Sequence, residues 1–165
     1  MPDTHGPLIG KKLPAFSMLD DEDNIVDNTA LLGHWTVLFF YPKDHSFGCT
    51  LESCAFRDHH NSFERAGATI YGISTDDARS HAAFRKKHRL PFNLLTDERE
   101  SLAQALGLKK TLGLLRARAT FVLDPSGVIQ FTHTSQFGII GHIRKAREAI
   151  HRQQARAGMT DRSSS

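Results

Sequence analysis

The sequence predicts an α/β protein in which helices cover one mixed β-sheet. Segments rich in β-branched and aromatic residues alternate along the chain with segments of helical periodicity, which is typical of parallel strands joined by helices. Near the end, two apolar runs flank Asp124–Gly127, whose Pro and Gly positions suit a type I turn and hence an antiparallel hairpin. Parallel strands and a hairpin in one chain indicate a mixed sheet.

The elements are predicted in chain order from these patterns. Short apolar runs between turn residues predict strands at 36–41, 69–74, 92–96, 119–123 and 128–133. Amphipathic stretches predict helices at 49–66, 77–88, 98–106 and 141–156. Gly67 and Gly107 end two of them, and Leu90-Pro91 ends a third. We expect one domain over 1–157 and a disordered polar tail over 158–165.

Composition and charge narrow the classes of function. The chain has 165 residues, 39% of them hydrophobic and 24% charged, as in an ordinary soluble domain. It has no apolar stretch of the roughly 20 residues that span a membrane and no signal-peptide pattern, so we expect a cytoplasmic protein without a membrane partner. The net charge of +3 comes largely from residues 144–156, where no aromatic residue is interleaved. This favours a solvated helix face over a nucleic-acid site.

Cys49 and Cys54 are the two cysteines of the chain, and both follow the predicted strand at 36–41. The segment between passes through Pro42 and Gly48 and then becomes helical, which places Cys49 at a helix start. Unpaired N–H groups and the helix dipole there favour thiolate over thiol. In a reducing compartment, two neighbouring cysteines indicate catalysis or metal binding more than a structural disulfide.

The spacing of the two cysteines predicts a conformational change on oxidation. On an intact helix their Cα atoms would lie roughly 8–9 Å apart, whereas a disulfide needs about 7 Å or less. Cys49 is then the thiolate that would attack a peroxide O–O bond and become a sulfenic acid. Cys54 would condense with this product to a disulfide after the first helical turns unwind. The Ser46 hydroxyl could donate to the sulfur or the peroxide and accept from it. Pro42 would stiffen the loop entry and shield the Cys49 sulfur from bulk water. A cation is also required to hold the thiolate, and it must come from a distant segment.

The residues around the cysteines resemble the active-site segment of the peroxiredoxins, specifically the Q-type or bacterioferritin-comigratory-protein group. The resemblance covers most of the chain, from about Leu8 to Ile150. Its first motif is Tyr41-Pro42-Lys43-Asp44, Gly48-Cys49-Thr50, Glu52, Cys54 and Arg57-Asp58. Its later motifs are Gly72-Ile73-Ser74-Thr75-Asp76, Pro91-Phe92, Leu94-Leu95, Asp97, Arg118-Ala119-Thr120-Phe121-Val122-Leu123-Asp124 and Gly127.

The resemblance implies a thioredoxin-like fold, reduction of hydrogen peroxide and organic hydroperoxides, and an intramolecular disulfide. It also implies recycling by thioredoxin or a glutaredoxin-like dithiol protein, a monomeric state, and no metal or organic cofactor. Cys49 matches the peroxidatic cysteine, Cys54 the resolving cysteine and Pro42 the active-site proline. Arg118 matches the arginine that stabilises thiolate and transition state, which supplies the distant cation.

Two positions depart from the family pattern. Ser46 stands where the family usually has Thr, so the hydroxyl is kept and the methyl group that restricts its rotamer is lost. Phe47 stands where the family usually has Pro, and it puts an apolar group beside Gly48 at the mouth of the substrate pocket. We therefore hypothesise that Phe47 biases the pocket toward bulkier hydroperoxides.

Alternative roles remain open for several residues. Arg116 is a rival for the role of Arg118, because both would lie on the same side of a strand. Glu52 is interpreted as structural or as the partner of an arginine. The other charged residues of the motif, Lys43, Asp44, Arg57 and Asp58, are predicted to form surface pairs.

Two other classes of function compete with a peroxidase. The first is a metal-binding protein, since His59 and His60 lie near the cysteines. However, adjacent histidines diverge on a helix and do not fit zinc-ligand spacing. The second alternative is a redox-sensing or holdase-type protein that uses the same disulfide as a switch.

Overall fold

The structure is a computed structural model that describes residues 8–108, 110–111, 115–116, 118–135 and 139–162. The strands are β1 Ser17–Asp20, β2 Ile25–Asp27, β3 Trp35–Phe40, β4 Ala68–Ser74, β5 Leu94–Thr96, β6 Lys110–Thr111, β7 Leu115–Arg116, β8 Ala119–Leu123 and β9 Ile129–Thr134. The helices are α1 Phe47–Asp58, α2 His60–Arg65, α3 Ala78–His88, α4 Ser101–Ala105 and α5 Ile139–Arg162. A short 3-10 turn at Asn28–Leu31 precedes β3.

Seven strands form one mixed sheet in the order β2-β1-β5-β4-β3-β8-β9. β3, β4 and β5 run parallel to one another, and the remaining neighbours pair antiparallel. β3 lies between the parallel β4 and the antiparallel β8, so chain segments far apart in sequence meet at its end. The predicted mixed sheet and the predicted β8–β9 hairpin are confirmed.

Alternation along β3 divides the core into two layers. Leu38 and Phe40 belong to the layer that also contains α4, whereas Val37 and Phe39 belong to the layer under α1, α3 and α5. Phe39 stacks on Phe56 of α1 with ring centroids 4.5 Å apart, which fixes α1 on the sheet. The second layer therefore holds α1 over the carboxyl end of β3.

The helix predicted over 49–66 is two helices. α1 begins at Phe47, two residues earlier than predicted, and ends at Asp58. At His59, the backbone N–H and the ring Nδ1 lie 3.2 Å and 2.9 Å from the same Ala55 carbonyl oxygen. Sharing that acceptor disturbs the helical ladder, and α2 starts again at His60.

The C-terminal helix is longer than predicted. α5 runs to Arg162, beyond the predicted end at 156 and into the predicted disordered tail, so the boundary at Gly158 is corrected. One Gly costs a helix only about 1 kcal/mol relative to Ala, and good helix formers, among them Ala155 and Ala157, flank it. Residues 163–165 lie outside the described residues. Across the described ranges, no helix is both long and apolar enough to cross a membrane.

Candidate active site

Cys49 lies where the chain turns from β3 into α1. The segment 41–46, here called the 41–46 loop, connects the two, and Cys49 is the third residue of α1. Its side chain is fully buried on the helix face that packs on the sheet, whereas Cys54 is partly exposed. Both are free thiols on an uninterrupted helix. The predicted position of Cys49 at a helix start is therefore confirmed.

Arg118 reaches Cys49 from a distant part of the chain. The β3–β8 register pairs Phe40 with Ala119, which places Arg118 beside the end of β3. Its guanidinium lies against Gly48, the residue before Cys49, and its Nη1 donates to Glu52 Oε2 at 2.7 Å. The backbone of Arg116, the rival residue, lies in β7, and its side chain is outside the described residues.

Gly48 makes the approach of Arg118 possible. A Cβ atom at this position would lie 2.6 Å from Arg118 Nη2, closer than real contacts allow. Because glycine has no Cβ, the guanidinium can lie directly against the first turn of α1. Gly48 thus brings the cation to the cysteine, in addition to its predicted place at the pocket mouth.

Glu52 forms a buried ion pair with Arg118. This agrees with the interpretation of Glu52 as the partner of an arginine. Burial raises the pKa of Glu52 to about 7, although the Arg118 charge and hydrogen bond act in the opposite direction. Burial lowers the pKa of Arg118, but the charges of Cys49 and Glu52 outweigh it and raise that pKa overall. Glu52 Oε1 is buried, and within the described part of the chain it has no hydrogen-bond partner.

The remaining predicted residues occupy the 41–46 loop and the start of α1. The Ser46 hydroxyl donates to the Lys43 carbonyl at 3.0 Å, so its single proton is committed to the loop and accepting a hydrogen bond is the predicted role left to it. Pro42 lies partly buried in the same loop. Phe47 is 82% exposed, which puts a large apolar surface next to Gly48.

Asp44 corrects a prediction. The sequence assigned it to a surface pair, yet it is 3% exposed. Its carboxylate accepts hydrogen bonds from Tyr41 and Ser80 and faces His81 Nδ1 at 2.7 Å. Since Ser80 and His81 belong to α3, only the folded chain brings these groups together. Nothing in the local sequence distinguishes Asp44 from an exposed loop carboxylate.

Charged residues near the cysteines were predicted to form surface pairs, and a metal site there was considered and disfavoured. Arg57 and Asp58 do form an exposed pair, with Nε and Oδ1 3.0 Å apart. Among the described residues, no group of three or more His, Cys, Asp or Glu side chains could hold a metal ion. His142, on α5, is fully buried and lies 2.9 Å from the Thr120 hydroxyl. Burial lowers its pKa to about 4.

Comparisons with known proteins show the family of the chain. The AhpC/TSA family model matches residues 9–132. Chloroplastic peroxiredoxin Q of Triticum aestivum is 42% identical over 142 residues, 86% of this chain and 65% of that protein. Chloroplastic peroxiredoxin Q of Populus jackii is 42% identical over 81% of this chain and 63% of that protein. The chain thus spans slightly less than two thirds of the length of these curated relatives.

Solved structures show the same similarity. Peroxidoxin BcpB of Mycobacterium tuberculosis superposes with a TM-score of 0.80 and 33% identity, covering 87% of this chain and 96% of that one. Peroxiredoxin Q of Xanthomonas campestris gives a TM-score of 0.77 and 31% identity over 82% and 89% of the two chains. The thioredoxin-like fold is confirmed, whereas the cytoplasmic location stays a prediction. The chain belongs to the AhpC/TSA family, and within it to the Q-type peroxiredoxins that its cysteine motif predicted.

Proposed function

We propose that this protein is a thiol-dependent peroxidase in which the Cys49 thiolate reduces hydrogen peroxide and organic hydroperoxides. The observation that carries the proposal is the approach of the Arg118 guanidinium to Gly48, directly before a buried cysteine at a helix start. The Cys49 sulfur attacks the terminal peroxide oxygen and the O–O bond breaks. Cys49 becomes a sulfenic acid, and the second oxygen leaves with a proton as water or alcohol.

The site is arranged to stabilise the charge that moves in this step. Negative charge passes from the Cys49 sulfur to the leaving oxygen. Arg118 and the Cys49 backbone N–H can stabilise this charge as it moves. The N–H is one of the helix-start donors that have no intrahelical partner. Glu52 holds the guanidinium through Nη1 and leaves Nη2 beside Gly48, the residue before Cys49. Pro42 shields the sulfur from bulk water in this proposal, and the Ser46 oxygen accepts a hydrogen bond from the bound peroxide.

Resolution requires Cys49 to leave its buried position. The Cys54 sulfur attacks the Cys49 sulfenic sulfur, water leaves, and an intramolecular disulfide forms. The five-residue spacing on the intact α1 requires its first turns to unwind. Thioredoxin or a glutaredoxin-like protein then reduces the disulfide by exchange, with its own two thiols becoming oxidised. We propose that this cycle runs in a monomer.

The test is peroxide consumption by the wild type, Cys49→Ser and Cys54→Ser with thioredoxin, thioredoxin reductase and NADPH. We expect no turnover in Cys49→Ser. After one equivalent of peroxide, the wild type should lose about two daltons as the disulfide forms, and Cys54→Ser should retain a trapped sulfenic acid. Retained turnover in Cys49→Ser would overturn the proposal.

A redox switch is the second candidate, because forming the disulfide must remodel α1 and so change the protein surface. The same experiment separates the two functions. Continuous turnover with added reductant supports the peroxidase, whereas a single stoichiometric oxidation followed by capture of a partner protein supports the switch.

A further inference from the structure

A hydrogen-bond network centred on Asp44 ties the 41–46 loop to α3. The Asp44 carboxylate is nearly fully buried, and Oδ1 accepts from the Tyr41 hydroxyl. Oδ2 accepts from the Ser80 hydroxyl at 2.9 Å and lies 2.7 Å from His81 Nδ1. Three polar groups from two elements therefore converge on one loop carboxylate two residues before Ser46.

The His81 ring and the Tyr41 hydroxyl are held by the oxygen atoms around them. His81 is fully buried, and its Nε2 lies 3.1 Å from the Leu95 carbonyl oxygen, which can only accept. Its Nδ1 faces a carboxylate, which also accepts when ionised. Each ring nitrogen of His81 thus faces an oxygen atom, so the ring is held between Asp44 and the Leu95 carbonyl. Burial and the adjacent Asp44 charge keep the Tyr41 pKa well above its ordinary value, so the phenol donates.

The backbone of Asp44 is held by a second set of residues. The Asp44 N–H donates to Asp76 Oδ2 at 2.8 Å, and Asp76 also accepts from the Ser74 hydroxyl. The next residue, His45, has φ 63°, a left-handed conformation that is costly for a residue other than glycine. Such a conformation persists only where neighbouring contacts hold it; here the hydrogen bonds of Asp44 lie directly before it and the His45 ring packs on Phe84.

We propose that Asp44 and His81 are positioning residues that hold the 41–46 loop over Cys49. The proposal rests on the peroxidase function proposed above. The loop leads directly into α1, so its conformation sets the place of Pro42 and of the first-turn N–H groups relative to the sulfur. A misplacement of about 1 Å in such a site costs up to about 10²-fold in rate. The pair acts through the loop and does not itself contact the reacting atoms.

The experiment uses the Cys54→Ser background, in which Cys49 is the remaining thiol. Two rates are measured: single-turnover oxidation of Cys49 by hydrogen peroxide, and alkylation of Cys49 by iodoacetamide. The variants are Asp44→Ala, Asp44→Asn and His81→Gln. Asn keeps the shape of Asp44 and offers an N–H to a neutral His81, so it should restore much of the network that Ala removes.

Asp21→Ala is the matched control. Asp21 has a side chain 4% exposed and accepts from Arg85, Asn93 and the Leu94 N–H. Asp21→Ala therefore removes a comparable set of partly buried hydrogen bonds without changing any contact of the 41–46 loop. Unfolding free energies of all variants are measured by urea denaturation, so that rates are compared between proteins that are equally folded.

The proposal predicts opposite changes in the two rates. Peroxide oxidation should fall about 10–100-fold in Asp44→Ala and His81→Gln. Alkylation should rise several-fold, because a looser loop exposes a thiol that is now fully buried. Asp44→Asn should lie close to the wild type, and Asp21→Ala should change neither rate.

Equal effects of Asp44→Ala and Asp21→Ala, or a parallel fall of both rates, would overturn the positioning role. If Asp44→Ala does not fold, His81→Gln and Asp44→Asn decide by the same criteria. Failure of the wild type to react with peroxide would overturn the peroxidase proposal instead. In that case the alkylation contrast still tests the loop.

Discussion

Two buried ion pairs lie on either side of the segment that carries Cys49, and they differ in how completely they are satisfied. In the Arg118–Glu52 pair, Glu52 Oε1 has no partner within the described ranges, and burial raises the pKa of Glu52 to about 7. In the Asp44–His81 pair, both carboxylate oxygens and both ring nitrogens face partners. The first pair can change its charge state near neutral pH, because the pKa of Glu52 lies there, whereas the second pair has a hydrogen-bond partner at every polar side-chain atom.

The pairs also differ in what they contact. Arg118 lies against Gly48, the residue before Cys49, so in the proposed peroxidase its charge acts on the sulfur directly. Asp44 and His81 act on the conformation of the loop that precedes it. Changes to the first pair should therefore alter the chemistry of a correctly folded site, and changes to the second should alter the geometry of that site.

Replacing Arg118 should have the largest effect. Arg118→Met removes the charge that follows the electrons onto the leaving oxygen. We expect kcat/KM for hydrogen peroxide to fall about 10²–10³-fold, the loss typical of removing one such donor. Arg118→Lys keeps a charge but cannot serve Glu52 and Cys49 together, so it should recover only part of the rate. Stopped-flow oxidation of Cys49 measures both, and a loss below threefold in Arg118→Met would contradict the assigned role.

Gly48→Ala should impair the same pair without unfolding the protein. The added Cβ would meet Arg118 Nη2 at 2.6 Å, and the end of a flexible side chain can move away from it. We expect the displaced guanidinium to lower the peroxide rate about 10-fold, which corresponds to about 1.4 kcal/mol of transition-state stabilisation.

Gly141→Ala is the matched control for Gly48→Ala. Gly141 lies near the start of α5, and a Cβ there would have no heavy atom within 4 Å. It should leave the rate unchanged and stabilise α5 by up to about 1 kcal/mol. An equal loss of rate in both variants would show that the contact with Arg118 is unimportant.

Glu52→Gln should change the pH dependence of stability. Folded Glu52 keeps its proton up to about pH 7, while the unfolded chain loses it near 4.5, so Glu52 makes stability fall as pH rises across that window. His142 acts oppositely: its pKa falls from 6.5 to about 4, so stability rises with pH between those values. Urea unfolding from about pH 4.5 to 8 should show a steeper rise in Glu52→Gln and a fall in His142→Asn. Unchanged profiles would refute both assignments.

The two pairs also show how far the sequence could be read. Cys49, Gly48 and Arg118 carry motifs whose chemistry requires them, so the reacting group could be predicted from residue type and order. The mixed sheet followed from the alternation of strands and helices and from the Asp124–Gly127 turn. Both depend on local pattern; the structure confirms the mixed sheet, whereas the roles of the three residues stay predictions.

Asp44 could not be read in the same way. Its burial depends on α3 delivering Ser80 and His81 to the 41–46 loop, which is a result of packing and not of local pattern. The predicted end of α5 was wrong for a related reason. Gly158 is unfavourable in a helix by propensity alone, but neighbouring helix formers outweigh a single glycine.

The smallest effect concerns the choice of substrate at Phe47. This side chain is 82% exposed at the first position of α1, where proline is also well tolerated, so Phe47→Pro should leave stability nearly unchanged. If the exposed ring contacts the organic group of a hydroperoxide, its loss should lower kcat/KM for cumene hydroperoxide several-fold and leave hydrogen peroxide unaffected. The ratio of the two values cancels any general change in Cys49 reactivity, because both substrates share the same sulfur and the same Arg118. An unchanged ratio would show that Phe47 does not select the substrate, and that both ion pairs act on a site open to hydroperoxides of any size.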